Sequence, residues 1–182
     1  RGKGNMKNFI KNKAVQIIAI CDVDRNHLKE SKDAINKYYE NRDCKTFDDY
    51  RELLARIDVD TATISIPDHW HMLVYRETAE KGIDIFGEKP LVRKIEEGKK
   101  VVKACEDNNI IWQTGSWQRS VEKFRRACEL VANGTIGKIQ RIDVVLPDMN
   151  KEIGMPPEIK TPRGVDYNMW LGPAPYKPFR GV

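Results

Sequence analysis

The sequence predicts an α/β fold, a doubly wound parallel sheet with helices on both faces, followed by the beginning of a second α/β domain. Three observations predict it. Short apolar runs alternate with amphipathic helical stretches through residues 15–113. The connections are short, and parallel neighbours need a crossover, which the intervening helices supply. Several runs end in Asp22, Pro67 or Glu88, and an open α/β sheet gathers its chemistry outside the carboxyl ends of its strands.

The elements follow in order. Residues 15–20 are an apolar run broken only by Gln16, and they end in Cys21-Asp22-Val23-Asp24. Residues 26–39 read as a helix. Residues 47–57 read as a shorter one, with Asp48 or Asp49 in the first turn, where the helix dipole favours negative charge. Residues 61–66 form a buried-type strand stopped by Pro67, and residues 70–81 a helix ended by Gly82. A strand over 83–87 comes next. The helix over 94–108 has Val101, Val102 and Ala104 on its apolar side, and 110–113 is a further strand.

After Gly115 the pattern changes. Residues 120–133 read as a helix ending at Gly134. Residues 138–146 alternate, with Ile139, Ile142 and Val144 among polar neighbours, as in a strand with one wet face. Residues 147–178 hold seven of the nine prolines and read as irregular loop. The expected division is a first domain over 1–116 and the start of a second over 117–182. One helix and one long strand cannot readily close a core, so the second domain is expected to be incomplete. Arg1-Gly2-Lys3-Gly4 has no initiator Met, and the expectation is a chain truncated at both ends.

Composition excludes several classes. The net charge is +5, but the basic residues are dispersed among acids, as in Lys94, Glu96, Glu97, Lys99 and Lys100. That is a solvated helix face, and no nucleic-acid motif accompanies it. No run approaches the roughly 18 apolar residues of a membrane span. Cys21, Cys44, Cys105 and Cys128 are far apart, with no Cys-x-x-Cys, which suits reduced thiols. His69 and His71 are two residues apart at a helix start, with only Asp68 nearby as a third ligand, so no metal site is expected.

The chemistry concentrates at Glu88-Lys89-Pro90, after the apolar run Ile83-Asp84-Ile85-Phe86-Gly87. A lysine at a strand end is a candidate proton donor or acceptor, because its ammonium is compact and responds to desolvation. Glu88 is expected to hold that ammonium in place. Asp22, at a strand end twenty residues after Gly2, has the spacing of the acid that bonds ribose hydroxyls in a dinucleotide site.

The ordered motifs resemble the Gfo/Idh/MocA family of nicotinamide-dependent oxidoreductases. They are Cys21-Asp22-Val23-Asp24, Pro67-Asp68-His69-Trp70-His71, Gly87-Glu88-Lys89-Pro90-Leu91, Gln113-Thr114-Gly115-Ser116-Trp117-Gln118-Arg119 and Trp170-Leu171-Gly172-Pro173-Ala174-Pro175. The resemblance implies an N-terminal Rossmann domain, lacking here its first strand and leading glycines. It implies a C-terminal α/β domain on a large open, mainly antiparallel sheet. It implies hydride transfer between NAD, in preference to NADP, and a sugar, inositol or related polyol. Under it, Lys89 is the catalytic residue. Gly2, Asp22, Val23, Pro67, Asp68, His71, Glu88, Lys89 and Gln118 line the cofactor. The family's downstream Asp and His motif would lie beyond Val182. Aromatics at Trp117, Tyr167 and Trp170 suit a sugar face, or else a domain-junction core. The partners implied are a small carbohydrate-like substrate and, in the full-length protein, further copies of itself, with neither nucleic acid nor membrane. The compartment implied is the cytoplasm, or the periplasm if an export signal has been lost. Two other readings stay open: an NAD-dependent enzyme that cleaves glycosides by transient oxidation, and a non-catalytic nucleotide-binding protein.

Overall fold

The computed structural model describes residues 1–56, 58–146 and 154–181. The chain forms two compact units, Arg1–Gly115 together with Glu158–Val182, and Ser116–Pro157.

The first unit opens with α1 (Gly2–Phe9), β1 (Ala19–Cys21) and α2 (Arg25–Tyr39). Asp24 ends the extended segment after β1, and its carboxylate caps α2 by accepting from Asn26 N at 2.8 Å. Then come β2 (Lys45–Phe47) and α3 (Tyr50–Leu54). The helix expected over 47–57 is therefore corrected. Phe47 closes a three-residue strand, and the helix waits for Asp49, whose carboxylate accepts from Arg51 N at 2.9 Å. Ile57 lies outside the described residues. A strand as short as β2 shows no period in sequence; its ladder to β1 makes it.

The second half of this unit holds β3 (Thr61–Ile64), α4 (His71–Glu80), β4 (Asp84–Glu88), α5 (Ile95–Asp107) and β5 (Trp112–Gly115), with a 3-10 turn at Asp68–Trp70 before α4. Strands β3, β4 and β5 pair in that order, all parallel, with Ile64 opposite Gly87 and Glu88 opposite Gly115. β1 and β2 form a separate parallel pair. The two pieces match positions 3-2 and 4-5-6 of the doubly wound order. No ladder joins β1 to β3 among the described residues.

The main core lies between α4, α5 and the β3–β4–β5 sheet, from Ile64, Val74, Tyr75, Ala79, Ile85, Val101 and Ala104. Trp112 meets Tyr75 edge-on at 4.7 Å. Gly87 makes that packing possible, since a Cβ there would stand 2.8 Å from the Trp112 ring. A second cluster of Ile10, Ile35 and Cys44, with Ile17 and Ile20 against it, fastens α1 and α2 to β1.

Residues 158–182 return to this unit, where the sequence places them in the second domain. Val165 forms an antiparallel bridge with Asp24, Arg25 N donates to Gly164 O at 3.0 Å, and Asp166 N donates to Val23 O at 2.9 Å. The segment contains an unexpected short helix, α7 (Tyr167–Leu171), started by Asp166 accepting from Met169 N. Trp70 Nε1 donates to Met169 O and Trp170 O at 3.0 and 3.1 Å. Backbone bonds to the segment after β1 and side-chain bonds from the turn before α4, all between residues far apart in sequence, hold a proline-rich stretch that composition alone reads as loop. Residues 147–153 of that expected loop lie outside the described residues.

The second unit contains α6 (Glu122–Ala132), near the helix expected over 120–133. The strand expected over 138–146 is not formed. Ile142, Val144 and Leu146 are exposed, and no strand pairs with this segment among the described residues. Alternation marks a face that can be buried, but a strand exists only with a ladder partner.

Candidate functional site

The site is a rim made by the carboxyl ends of β1, β3 and β4. The five-residue α7 segment spans from Val23, through Asp166, to His69 and Trp70, through Trp170. Five helical residues rise about 8 Å, so the ends of β1 and β3 share one rim.

At the end of β1, the half-exposed Asp22 carboxylate accepts from Asp24 N at 2.9 Å and lies 3.5 Å from His27 Nδ1. The carboxylate of this Asx-type turn stays half-exposed, so hydroxyl groups can donate to it. The Val23 carbonyl is already occupied by Asp166 N. Arg25 donates to Asp48 from Nε and Nη2, at 3.2 and 3.0 Å. Burial first, and then the charges of Asp22 and Asp49, push the Cys21 thiol up to about 12, so it stays protonated and offers no nucleophile.

After β3 the chain runs through Ser65 and Ile66 to Pro67, which precedes the 3-10 turn of Asp68, His69 and Trp70. Asp68 is exposed, while His71 is 1% exposed. His71 Nδ1 lies 2.5 Å from Pro90 O and Nε2 lies 3.0 Å from Ile66 O. Gly2 begins α1 beside Ser65, and a Cβ on Gly2 would meet Ser65 Cβ at an ordinary 3.6 Å. The first internal bond of α1 is Gly4 N to Arg1 O, so the amides of Gly2 and Lys3 precede it. Helix-start amides of this kind favour phosphate.

At the end of β4, Glu88 and Lys89 part company. The Glu88 side chain is 7% exposed and accepts from Asn5 Nδ2 at 2.9 Å and from Arg1 Nε at 3.1 Å. Asn5 Nδ2 also donates to Ser65 Oγ at 3.1 Å, tying β3 to β4. Burial pushes the Glu88 carboxyl up; the bonds from Asn5 and Arg1 and the Arg1 charge outweigh it and hold it below the usual carboxylate range. Lys89 is exposed, and its ammonium has no hydrogen bond or ion pair among the described residues. The expected support of Lys89 by Glu88 is thus corrected: successive side chains of an extended segment point to opposite sides. Tyr75 Oη donates to Glu88 O at 2.9 Å.

Three of these residues carry no signal that sequence reasoning could use: Arg1, Asn5 and Ser65 meet Glu88 or each other only through folding. Tyr75 does carry one, since it lies four residues after His71 on the same helix face. Trp170 is 42% exposed and stacks on Tyr167 at 5.8 Å and 15°. Trp117 and Gln118 lie in a 3-10 turn, Trp117–Ser120, of the second unit. Among the described residues no group of three or more His, Cys, Asp and Glu side chains is placed to hold a metal, and no helix is long and apolar enough to cross a membrane.

The rim's donor set fits a dinucleotide. It offers a half-exposed acid for ribose hydroxyls, helix-start amides for phosphate and an exposed strand-end lysine. The model of the oxidoreductase family with an NAD-binding Rossmann fold matches residues 2–116. Among solved structures, myo-inositol 2-dehydrogenase from Lactobacillus plantarum superimposes with a TM-score of 0.67 at 26% identity, over 76% of this chain and 40% of that one. A 2,7-anhydro-N-acetylneuraminate hydratase of Mediterraneibacter gnavus is 28% identical over 100 residues, 55% of this chain and 27% of its own. Glycosyl hydrolase family 109 protein 2 of Shewanella sp. (strain ANA-3) is 36% identical over 100 residues, 53% of this chain and 22% of its own. The chain spans about a quarter of the length of these curated relatives.

Proposed function

The chain belongs to the oxidoreductase family with an NAD-binding Rossmann fold, and we propose that the full-length protein transfers a hydride between NAD and a hydroxyl-bearing carbon of a sugar, inositol or related polyol. The observation that carries this reading is the exposed Lys89 at the end of β4, on the rim that also bears Asp22 and Pro67. Asp22 accepts from the adenosine ribose hydroxyls. The Gly2 end of α1 faces phosphate. Val23, Pro67 and Asp68 border the cofactor on the strand-end side. NAD bound there supplies the hydride acceptor or donor, and the protein supplies position and field. Lys89 Nζ bonds the substrate oxygen and carries its proton, or stabilises the developing alkoxide. The buried, ionised Glu88 faces α1 and gives the β4 end a fixed shape.

Asp22 repels a 2′-phosphate at close range, and Arg25 is occupied by Asp48, which favours NAD over NADP. The same reading takes the protein as a cytoplasmic homo-oligomer, which sizing and cell fractionation check. The test of function is turnover of a panel of inositols and sugars with NAD, for the parent and for Lys89→Ala. Accumulating NADH supports the dehydrogenase; no turnover of any polyol would sink it. The relatives named as a hydratase and a glycosyl hydrolase favour a second reading, transient oxidation that leads to elimination or bond cleavage. In that case product forms with no net change in NAD. A nucleotide-binding protein without activity would bind NAD and respond to Lys89→Ala with no change in chemistry.

A further inference from the structure

We infer that α4 positions Lys89, because His71 and Tyr75, one turn apart on that helix, hold the backbone carbonyls on either side of the lysine. The inference rests on reading Lys89 as the catalytic group. Tyr75 Oη donates to the carbonyl of Glu88 at 2.9 Å, and His71 Nδ1 donates to the carbonyl of Pro90 at 2.5 Å. A carbonyl can only accept, so both bonds run from helix to turn. Both rings are buried, 0% and 1% exposed, and they lie against each other at 4.9 Å. Burial, then the charges of Glu88 and Asp68, push the Tyr75 phenol up, so it remains a donor.

Lys89 needs such a device. Its side chain is exposed and Glu88 turns away from it, so its aim comes from its own backbone. That backbone is pinned one residue before and one residue after, and Pro90 narrows what remains. The other His71 nitrogen, Nε2, faces the carbonyl of Ile66 at 3.0 Å. One imidazole therefore spans the end of β3, next to Pro67, and the turn that carries Lys89. In the neutral ring one nitrogen carries the hydrogen, so the bond is the one to Pro90 O, while the ring packs beside Ile66 O. Buried, with both nitrogens facing backbone carbonyls, His71 acts as a positioning residue and not as a cofactor contact. A displacement of about 1 Å in a reacting group costs on the order of 10²-fold in rate.

The test uses ring-preserving variants of the full-length protein. His71→Phe and Tyr75→Phe keep the packing and remove the donors; His71→Gln restores one. We expect each Phe variant to lower kcat by roughly 10- to 10²-fold, with the KM for NAD little changed, and His71→Gln to recover part of the loss. In a Lys89→Ala background the same changes should lower kcat no further, since they act through Lys89. Parental kcat in the Phe variants, or an undiminished second loss in the Lys89→Ala background, overturns the inference while leaving the lysine's role intact. Near-normal turnover by Lys89→Ala alone instead overturns the catalytic reading, and the positioning role with it. If His71→Phe fails to fold, Tyr75→Phe, which deletes a single hydroxyl, carries the same test.

Discussion

Glu88 is buried and still ionised, which gives it a pH signature. Its folded pKa lies below its unfolded value because Asn5 and Arg1 overcome the cost of burial. The folded state then binds fewer protons, so its pairing contributes fully above the ordinary glutamate range and is lost as pH falls through the folded pKa. Glu88→Gln should cost about 1–3 kcal/mol near neutral pH, with the gap to the parent closing in acid. Urea unfolding at both pH values measures this, and a gap that widens in acid would contradict the assignment. Lys89→Ala should lower kcat by about 10²-fold or more and change NAD binding less, as kinetics and titration together would reveal. Asp22 and the Arg25–Asp48 pair make a third residue-scale prediction: NAD should bind more tightly than NADP. The exposed Arg25–Asp48 pair is itself worth only about 0–1 kcal/mol, so Asp22 carries most of the preference, and tighter NADP binding would refute that role.

At the scale of elements, β4 depends on a glycine. A Cβ on Gly87 would stand 2.8 Å from two Trp112 ring atoms and 3.1 Å from Tyr75 Cε1. Tyr75 is fully buried and Trp112 packs against the same core, and overpacking of this kind costs about 1–3 kcal/mol. Gly87→Ala should therefore lower the thermal midpoint, and an unchanged midpoint would mean that the Trp112 ring swings aside freely. The strands and helices with long or strongly patterned sequences, β3, β4, α2, α4 and α5, lie close to their expected places. β2 and α7 were not expected, because three- and five-residue elements carry almost no periodic signal and exist through bonds to distant residues.

At the scale of the molecule, the first unit is discontinuous: residues 158–182 rejoin residues 1–115. Trp70 is the fastening, bonded to Met169 and Trp170 and packed on Tyr50 at 5.6 Å. Gly172 makes room for it, with φ +47° and a Cβ position that would overlap the Trp70 ring. Trp70→Ala should release this return segment locally. The amides of Arg25 and Asp166, bonded across it, should then exchange faster, while Ile85, bonded to Ile111 O in the sheet, stays protected. Equal acceleration at all three sites would show that the segment and the sheet open together.

By itself the sequence determined the parallel α/β architecture, the family resemblance and the strand-end placement of Asp22, Pro67 and Glu88-Lys89. These follow from local periodicity, turn formers and motif order, all of which are written along the chain. Only the tertiary structure decided that Glu88 faces Asn5 and Arg1, that His71 and Tyr75 grip the carbonyls around Lys89, and that residues 158–182 return to the first unit. The same holds for residues 138–146, whose alternation names a buried face but whose ladder needs a partner strand. The physical reason is common to all four. Each depends on which groups far apart in sequence meet, and a hydrogen bond or a ladder has no local pattern until both of its halves are in place.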